Sequence, residues 1–179
     1  MACDILTTGR SKACYGSVGG LKAVYFSSDA LGAITYDLTD TDVITTFAGT
    51  PEFFKYELKG SNNTYTETVT KTVENGTAYF AQSLEVTLPK LGKATHKEFK
   101  LLVYSSPVVI VEDFNGSFFT MGLTNGADVT GGTIVTGGAR GDLSGYTLSV
   151  TAEEPVPANF LDTTIEDTTA TVSAVVITP

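Results

Sequence analysis

Over residues 63–88 the chain alternates with a period of two, and this constrains the fold more than any other feature. Thr64, Thr66, Thr68, Thr70 and Thr72 occupy every second position, with Tyr65, Glu67, Val69, Lys71 and Val73 in the gaps or just beyond. A strand sends successive side chains to opposite faces, so this segment has one face made only of threonine. Glu74-Asn75-Gly76 follows, and Asn-Gly suits the positive φ angles of a two-residue hairpin turn. The return arm alternates again. Ala78, Phe80, Gln82, Leu84, Val86 and Leu88 form its more apolar side, and Tyr79, Ala81, Ser83, Glu85 and Thr87 the other.

With Asn75 and Gly76 as the loop, Glu74 pairs with Thr77. Tyr65 then faces Val86, Glu67 faces Leu84 and Val69 faces Gln82, while Thr64 faces Thr87 and Thr66 faces Glu85. Arms of about twelve residues reach roughly 40 Å, about twice an ordinary strand. A hairpin of that reach projects from its domain, and its free edges call for partners. The expected partners are neighbouring subunits, met through Tyr65, Val69, Val73, Phe80, Leu84 and Val86. The alternative is a bent hairpin that wraps its own sandwich.

The remaining chain, in order, predicts a mainly β single domain over 1–179, a sandwich or barrel with one short flanking helix. Residues 1–20 read as an irregular arm. Leu21–Phe26, Ile34–Leu38, Val43–Phe47 and Phe53–Leu58 read as strands before the hairpin. After Pro89 the period lengthens. Leu91, Ala94, Phe99, Leu102 and Val103 fit one helix face over 91–103, with Lys93, Lys97 and Lys100 on the wet side. Val108–Asp113 and Ser117–Leu123 form a second hairpin across Asn115-Gly116. Ala127–Gly138 is a glycine-rich strand expected to carry bulges, and Ser144–Glu153 is a strand. The tail from Phe160 is acidic and threonine-rich, without a strand until a final one at Val172–Ile177.

The charge excludes some functions. With 20 acidic and 11 basic residues the net charge is −9, which opposes a grip on nucleic acid or on anionic lipid. The start lacks a basic segment followed by an apolar one, and no apolar run approaches the ~20 residues of a membrane helix. Synthesis and assembly in cytoplasm are expected, where Cys3 and Cys14 remain thiols. A short-loop disulfide is the alternative, and zinc would need two further ligands that are not nearby.

No catalytic constellation stands out, so no enzyme, cofactor or metal is expected. His96 is the only histidine and falls on the lysine-bearing side of the helix. Gly16-Ser17-Val18-Gly19 lacks the first glycine of a nucleophile elbow and precedes a strand. Gly19-Gly20-Leu21-Lys22 is not a phosphate loop, because lysine does not follow glycine directly and no helix follows. Glu112-Asp113 and Glu153-Glu154 read as solvated edge charges. Asn62, Asn75 and Asn115 each begin a glycosylation pattern, but turn chemistry accounts for two of them.

Several stretches taken together resemble a known family. They are CDILTTGRSKAC (3–14), GGLKAVYF (19–26), ENGTAYFAQSLEVTL (74–88), KLGKATHKEFKLL (90–102), VIVEDFNGSFFTMGL (109–123), NGADVTGGTIVTGGARGDLSGYTLSV (125–150) and PANFL (157–161). This series resembles virion structural proteins of tailed bacteriophages, in the role of the tail tube, over about residues 1–161; the tail over 162–179 lies outside it. The resemblance implies a β-sandwich with a flanking helix whose subunits form rings, commonly hexameric. The inner strands of such rings join into a barrel, and the rings stack into a tube within the virion, alongside other tail proteins. DNA passes through without specific binding. Thr64, Thr66, Thr68, Thr70 and Thr72 are then the candidate lumen face. The other expectations are a head decoration, connector or tail-completion protein, or a carbohydrate-binding adhesive sandwich.

Overall fold

The computed structural model describes residues 9–12, 15–27, 31–60, 62–165 and 171–174. Its elements are β1 (Leu21–Ser27), β2 (Ile34–Tyr36), β3 (Val43–Phe47), β4 (Glu52–Glu57), β5 (Thr64–Thr72), β6 (Thr77–Pro89), α1 (Lys93–Val103), β7 (Val109–Asp113), β8 (Phe118–Met121), β9 (Asp128–Val135), β10 (Gly145–Glu154), β11 (Phe160–Leu161) and β12 (Thr171–Ala174). They form an eight-stranded sheet of order β12-β4-β1-β7-β8-β11-β3-β2 and a four-stranded sheet of order β5-β6-β10-β9. The fold is a β-sandwich with a single short helix among the described residues.

Burial explains the two kinds of strand. β1 and β7 are covered on both faces, so they read as continuous apolar runs. Val24, Phe26, Val109 and Val111 point to the four-stranded sheet and meet Leu84, Val86, Leu148 and Val150. Ala23, Tyr25 and Ile110 point away into a second cluster with Ile44, Phe47 and Phe53. β5, β6, β9 and β10 are covered on one face only, so they alternate.

Helix α1 closes one end of the first core. Its N-terminal residue Gly92 has no side-chain cap. Instead the Tyr146 hydroxyl donates to Gly92 O at 3.1 Å and accepts from Gly92 N at 3.4 Å. Thr95 is the buried residue of the helix, and Phe99 and Leu102 pack on the core below it. Of the expected face, Phe99 and Leu102 turn inward, but Ala94 and Val103 are exposed, and Thr95 lies inside. The lysines and His96 are exposed.

Four further expectations need correction. The hairpin register is Tyr65 opposite Leu84, Val69 opposite Phe80 and Thr72 opposite Thr77. The loop is therefore Val73-Glu74-Asn75-Gly76, and only Gly76 has positive φ, at 64°. A two-residue turn of the expected type needs positive φ at both residues, and Asn75 does not adopt it. Glu112 and Glu154 are not solvated edge charges: they are 4% and 2% exposed. Phe160–Leu161 is a strand, pairing in parallel with β3 and antiparallel with β8. The last strand is Thr171–Ala174, starting one residue before the expected position. Cys3 and Cys14 lie outside the described residues.

Candidate functional site

The four-stranded sheet turns one face to the core and leaves the other open. Cross-strand partners share a face, so the register lists what the open face carries. One row is Thr133, Thr147 and Thr87; the next is Gly131, Ser149, Glu85 and Thr64. Then come Asp128, Thr151, Ser83 and Thr66, followed by Glu153, Ala81 and Thr68. Thr70 beside Tyr79 and Thr72 beside Thr77 complete it toward the hairpin loop. The threonine face is thus not confined to one strand. It continues across β6 and β10 to β9, with one bulge where Ser149 and Val150 shift register against β9.

The chemistry of this face is uniform. Hydroxyls dominate and tie to one another: Thr147 Oγ1 accepts from Thr133 N at 3.0 Å and lies 2.7 Å from Thr133 Oγ1. The charges on it are the carboxylates Glu85, Glu153 and Asp128. Lys71 is the only basic residue in these four strands, and its position on β5 points to the opposite side. A shallow depression of about 610 Å³ crosses the face near Thr68, Ser83, Asp128 and Glu153, and no aromatic ring lines it.

The hairpin divides at a polar waist. Below it, Leu84 and Val86 are 0% and 2% exposed and belong to the core of their own subunit, with Tyr65 packed against the same cluster. These three residues are occupied within the chain, which leaves Val69, Val73 and Phe80 of the six expected contact residues for a neighbour. Above the waist, Val69 is 63% and Val73 84% exposed. At the waist, Glu67 and Gln82 are cross-strand partners. Glu67 accepts from Ala158 N at 3.1 Å, and Gln82 Oε1 accepts from Gly122 N at 3.0 Å. Buried Glu154 accepts from Thr124 N and Asn125 N at 3.0 and 2.9 Å. Three side chains from the paired strands β5, β6 and β10 thereby bind backbone N–H groups of the loops at 122–125 and 155–159.

Burial also acts on two tyrosines packed against the first core. Desolvation and then the Glu98 charge push the Tyr56 phenol up to about 12. Tyr65 is pushed up further, by burial first and then by Glu67. Elsewhere, buried Glu112 accepts from Tyr25 Oη at 2.9 Å and pairs with Lys22. Among the described residues no cluster of His, Cys, Asp or Glu could hold a metal ion, and no helix is long and apolar enough to cross a membrane.

Sequence reasoning found the threonines of β5 but not their continuation. Ser149, Thr151 and Thr133 alternate visibly in β9 and β10, and their period could have joined them to the same face once the strands were neighbours. The waist was missed because its partners are far apart in sequence.

A scan against protein-family models finds no match. A search of curated proteins finds none either. Among solved structures, a chain from the virion of a native gene transfer agent particle is similar over 73% of this chain and 95% of that one, at 13% identity and a TM-score of 0.32. A likeness that loose carries no functional assignment.

Proposed function

We propose that this chain is a structural protein of a tailed-phage virion, and that its copies form stacked rings making the tail tube. The observation that carries this reading is the open face of the four-stranded sheet: hydroxyl-rich, acidic, and free of basic side chains across four strands. A wall that passes duplex DNA must not hold it. Basic walls bind phosphate through counterion release, whereas hydroxyls and carboxylates give no such gain.

Closure follows from the same sheet. β5 and β9 are its two edges, and each offers unpaired backbone groups. Pairing β9 of one copy with β5 of the next would join the sheets into a barrel lined by the open face. Six copies supply 24 strands, and strands ~4.8 Å apart then give a barrel roughly 37 Å across before tilt widens it. That admits a double helix. The adhesive alternative finds less support, because the depression on this face offers a sugar no ring to stack on.

Electron microscopy of the concentrated protein should show rings or tubes. In phage particles, Thr66→Lys with Thr151→Lys gives the face a basic lining on either side of Ser83. Such particles should look normal and release DNA slowly at low salt, with high salt relieving the delay. Monomers at every concentration, or equal release rates in assembled variant particles, would refute the proposal.

A further inference from the structure

Two exposed patches of opposite chemistry lie outside the open face. The first is on α1. At 100° per residue, Lys93, Lys97, Lys100 and Tyr104 fall within about 60° of one another, with Leu101 beside them. This stripe is opposite Thr95, Phe99 and Leu102, which face the core. The three lysines are exposed, and none makes a salt bridge among the described residues. Leu101 is 55% and Tyr104 83% exposed. A basic apolar stripe is unexpected on a chain of net charge −9.

The second patch is the loop between β2 and β3. Leu38 is fully exposed at 101%, flanked by Asp37, Asp40 and Asp42. The loop is tied together by its own carboxylates despite its exposure. The Asp37 carboxylate accepts from Thr39 N at 2.7 Å and Asp40 N at 3.1 Å, and Asp40 accepts from Asp42 N at 3.1 Å. Asp42 O in turn accepts from Phe160 N and Asn159 Nδ2, each at 3.1 Å.

These patches sit at different ends of the subunit. The helix meets β10 at Tyr146. The loop is held by Asn159, next to Ala158, which bonds Glu67 at the level of Gln82 and Ala152. Tyr146 and Ala152 are six residues apart on one strand, about 20 Å. Neither patch can cover the other within one chain.

We propose that the Leu38 loop of one copy docks on the lysine stripe of α1 in the next copy. Leu38 fills the space beside Leu101 and Tyr104, and Asp40 and Asp42 meet Lys97 and Lys100. The inference rests on the self-assembly reading above and gives that assembly a polarity. The two surfaces differ, so the contact is head to tail and repeats until it closes or continues as a stack.

Charge reversal tests it. One variant carries Lys97→Glu with Lys100→Glu. The other carries Asp40→Lys with Asp42→Lys and keeps Asp37, the main organiser of the loop. Each alone opposes like charges at the contact and should raise the assembly concentration, measured by sedimentation velocity, roughly tenfold or more. Mixed in equal amounts, every helix finds a loop of opposite sign, and alternating assembly should return to near the wild-type concentration. Circular dichroism of each variant checks that it folds. Variants that assemble singly like wild type, or a mixture that stays as weak as its parts, would overturn this contact. If the variants assemble like wild type, tube formation still stands; if wild type never assembles, both readings fall.

Discussion

The waist divides the long hairpin into a part that holds the subunit together and a part free to meet another, and two substitutions separate them. Leu84 is fully buried, with Tyr65 and Val150 as its cross-strand partners. Leu84→Ala removes methyl groups from a site whose neighbours on both sides are fixed in ladders, so the gap cannot collapse. Leucine-to-alanine changes in cores cost about 2–5 kcal/mol, and this site belongs in the upper half of that range. At about 2–4 °C per kcal/mol for a domain of this size, the melting temperature should fall by roughly 10 °C. Val69 is 63% exposed, and Val69→Thr with Val73→Thr keeps β-branching while removing apolar surface. The pair should change folding stability by no more than about 0.5 kcal/mol per site. Urea melts at low concentration read folding, and sedimentation velocity at high concentration reads association. Leu84→Ala should lower the melt, whereas the threonine pair should leave the melt alone and weaken association severalfold. A threonine pair that melts as low as Leu84→Ala would show that the tip is part of the core. A pair that associates like wild type would show that no neighbour uses it.

Two further outcomes follow from local geometry. Tyr56 and Tyr65 have raised pKa values when folded, so the folded state holds protons that the unfolded state loses above about pH 10; stability should be intact below pH 10 and fall toward pH 12. Tyr56→Phe should flatten that fall in urea melts taken across this range, and an unchanged slope would contradict it. At Gly145 an added Cβ would lie 2.2 Å from Leu88 O and 2.9 Å from Pro89 Cα, both backbone atoms. Gly145→Ala must therefore push β6 and β10 apart and should destabilise by at least ~1–3 kcal/mol in a thermal melt, whereas a neutral result would mean the strands yield without loss.

The faces of the hairpin were legible in the sequence although its register was not. The actual pairing differs from the Asn-Gly expectation by two residues, and a shift of two leaves every side chain on its original face. Loop length escaped detection because the sequence Asn75-Gly76 serves a four-residue loop as well as a two-residue one. The burial of Glu112 escaped because its partners, Lys22 and Tyr25, are 90 and 87 residues away. Glu154 likewise depends on Thr124 and Asn125. Phe160–Leu161 is too short to show a period, and β3 defines it only through the fold. For α1, one residue of phase decided between Ala94 and Thr95, since both suit a helix facing a β-sheet.

The waist has a mechanical meaning. The hairpin is a lever, and Glu67 and Gln82 are its fulcrum. A load on the tip passes through Glu67 to Ala158, and from Asn159, the next residue, to the carbonyl of Asp42. That route contains two hydrogen bonds and one peptide link, with no flexible side chain beyond the carboxylate and the amide. It ends at the base of the Leu38 loop. A pull on the hairpin is thus shared with the base of that loop through two hydrogen bonds in series rather than borne by the β5–β6 pair alone.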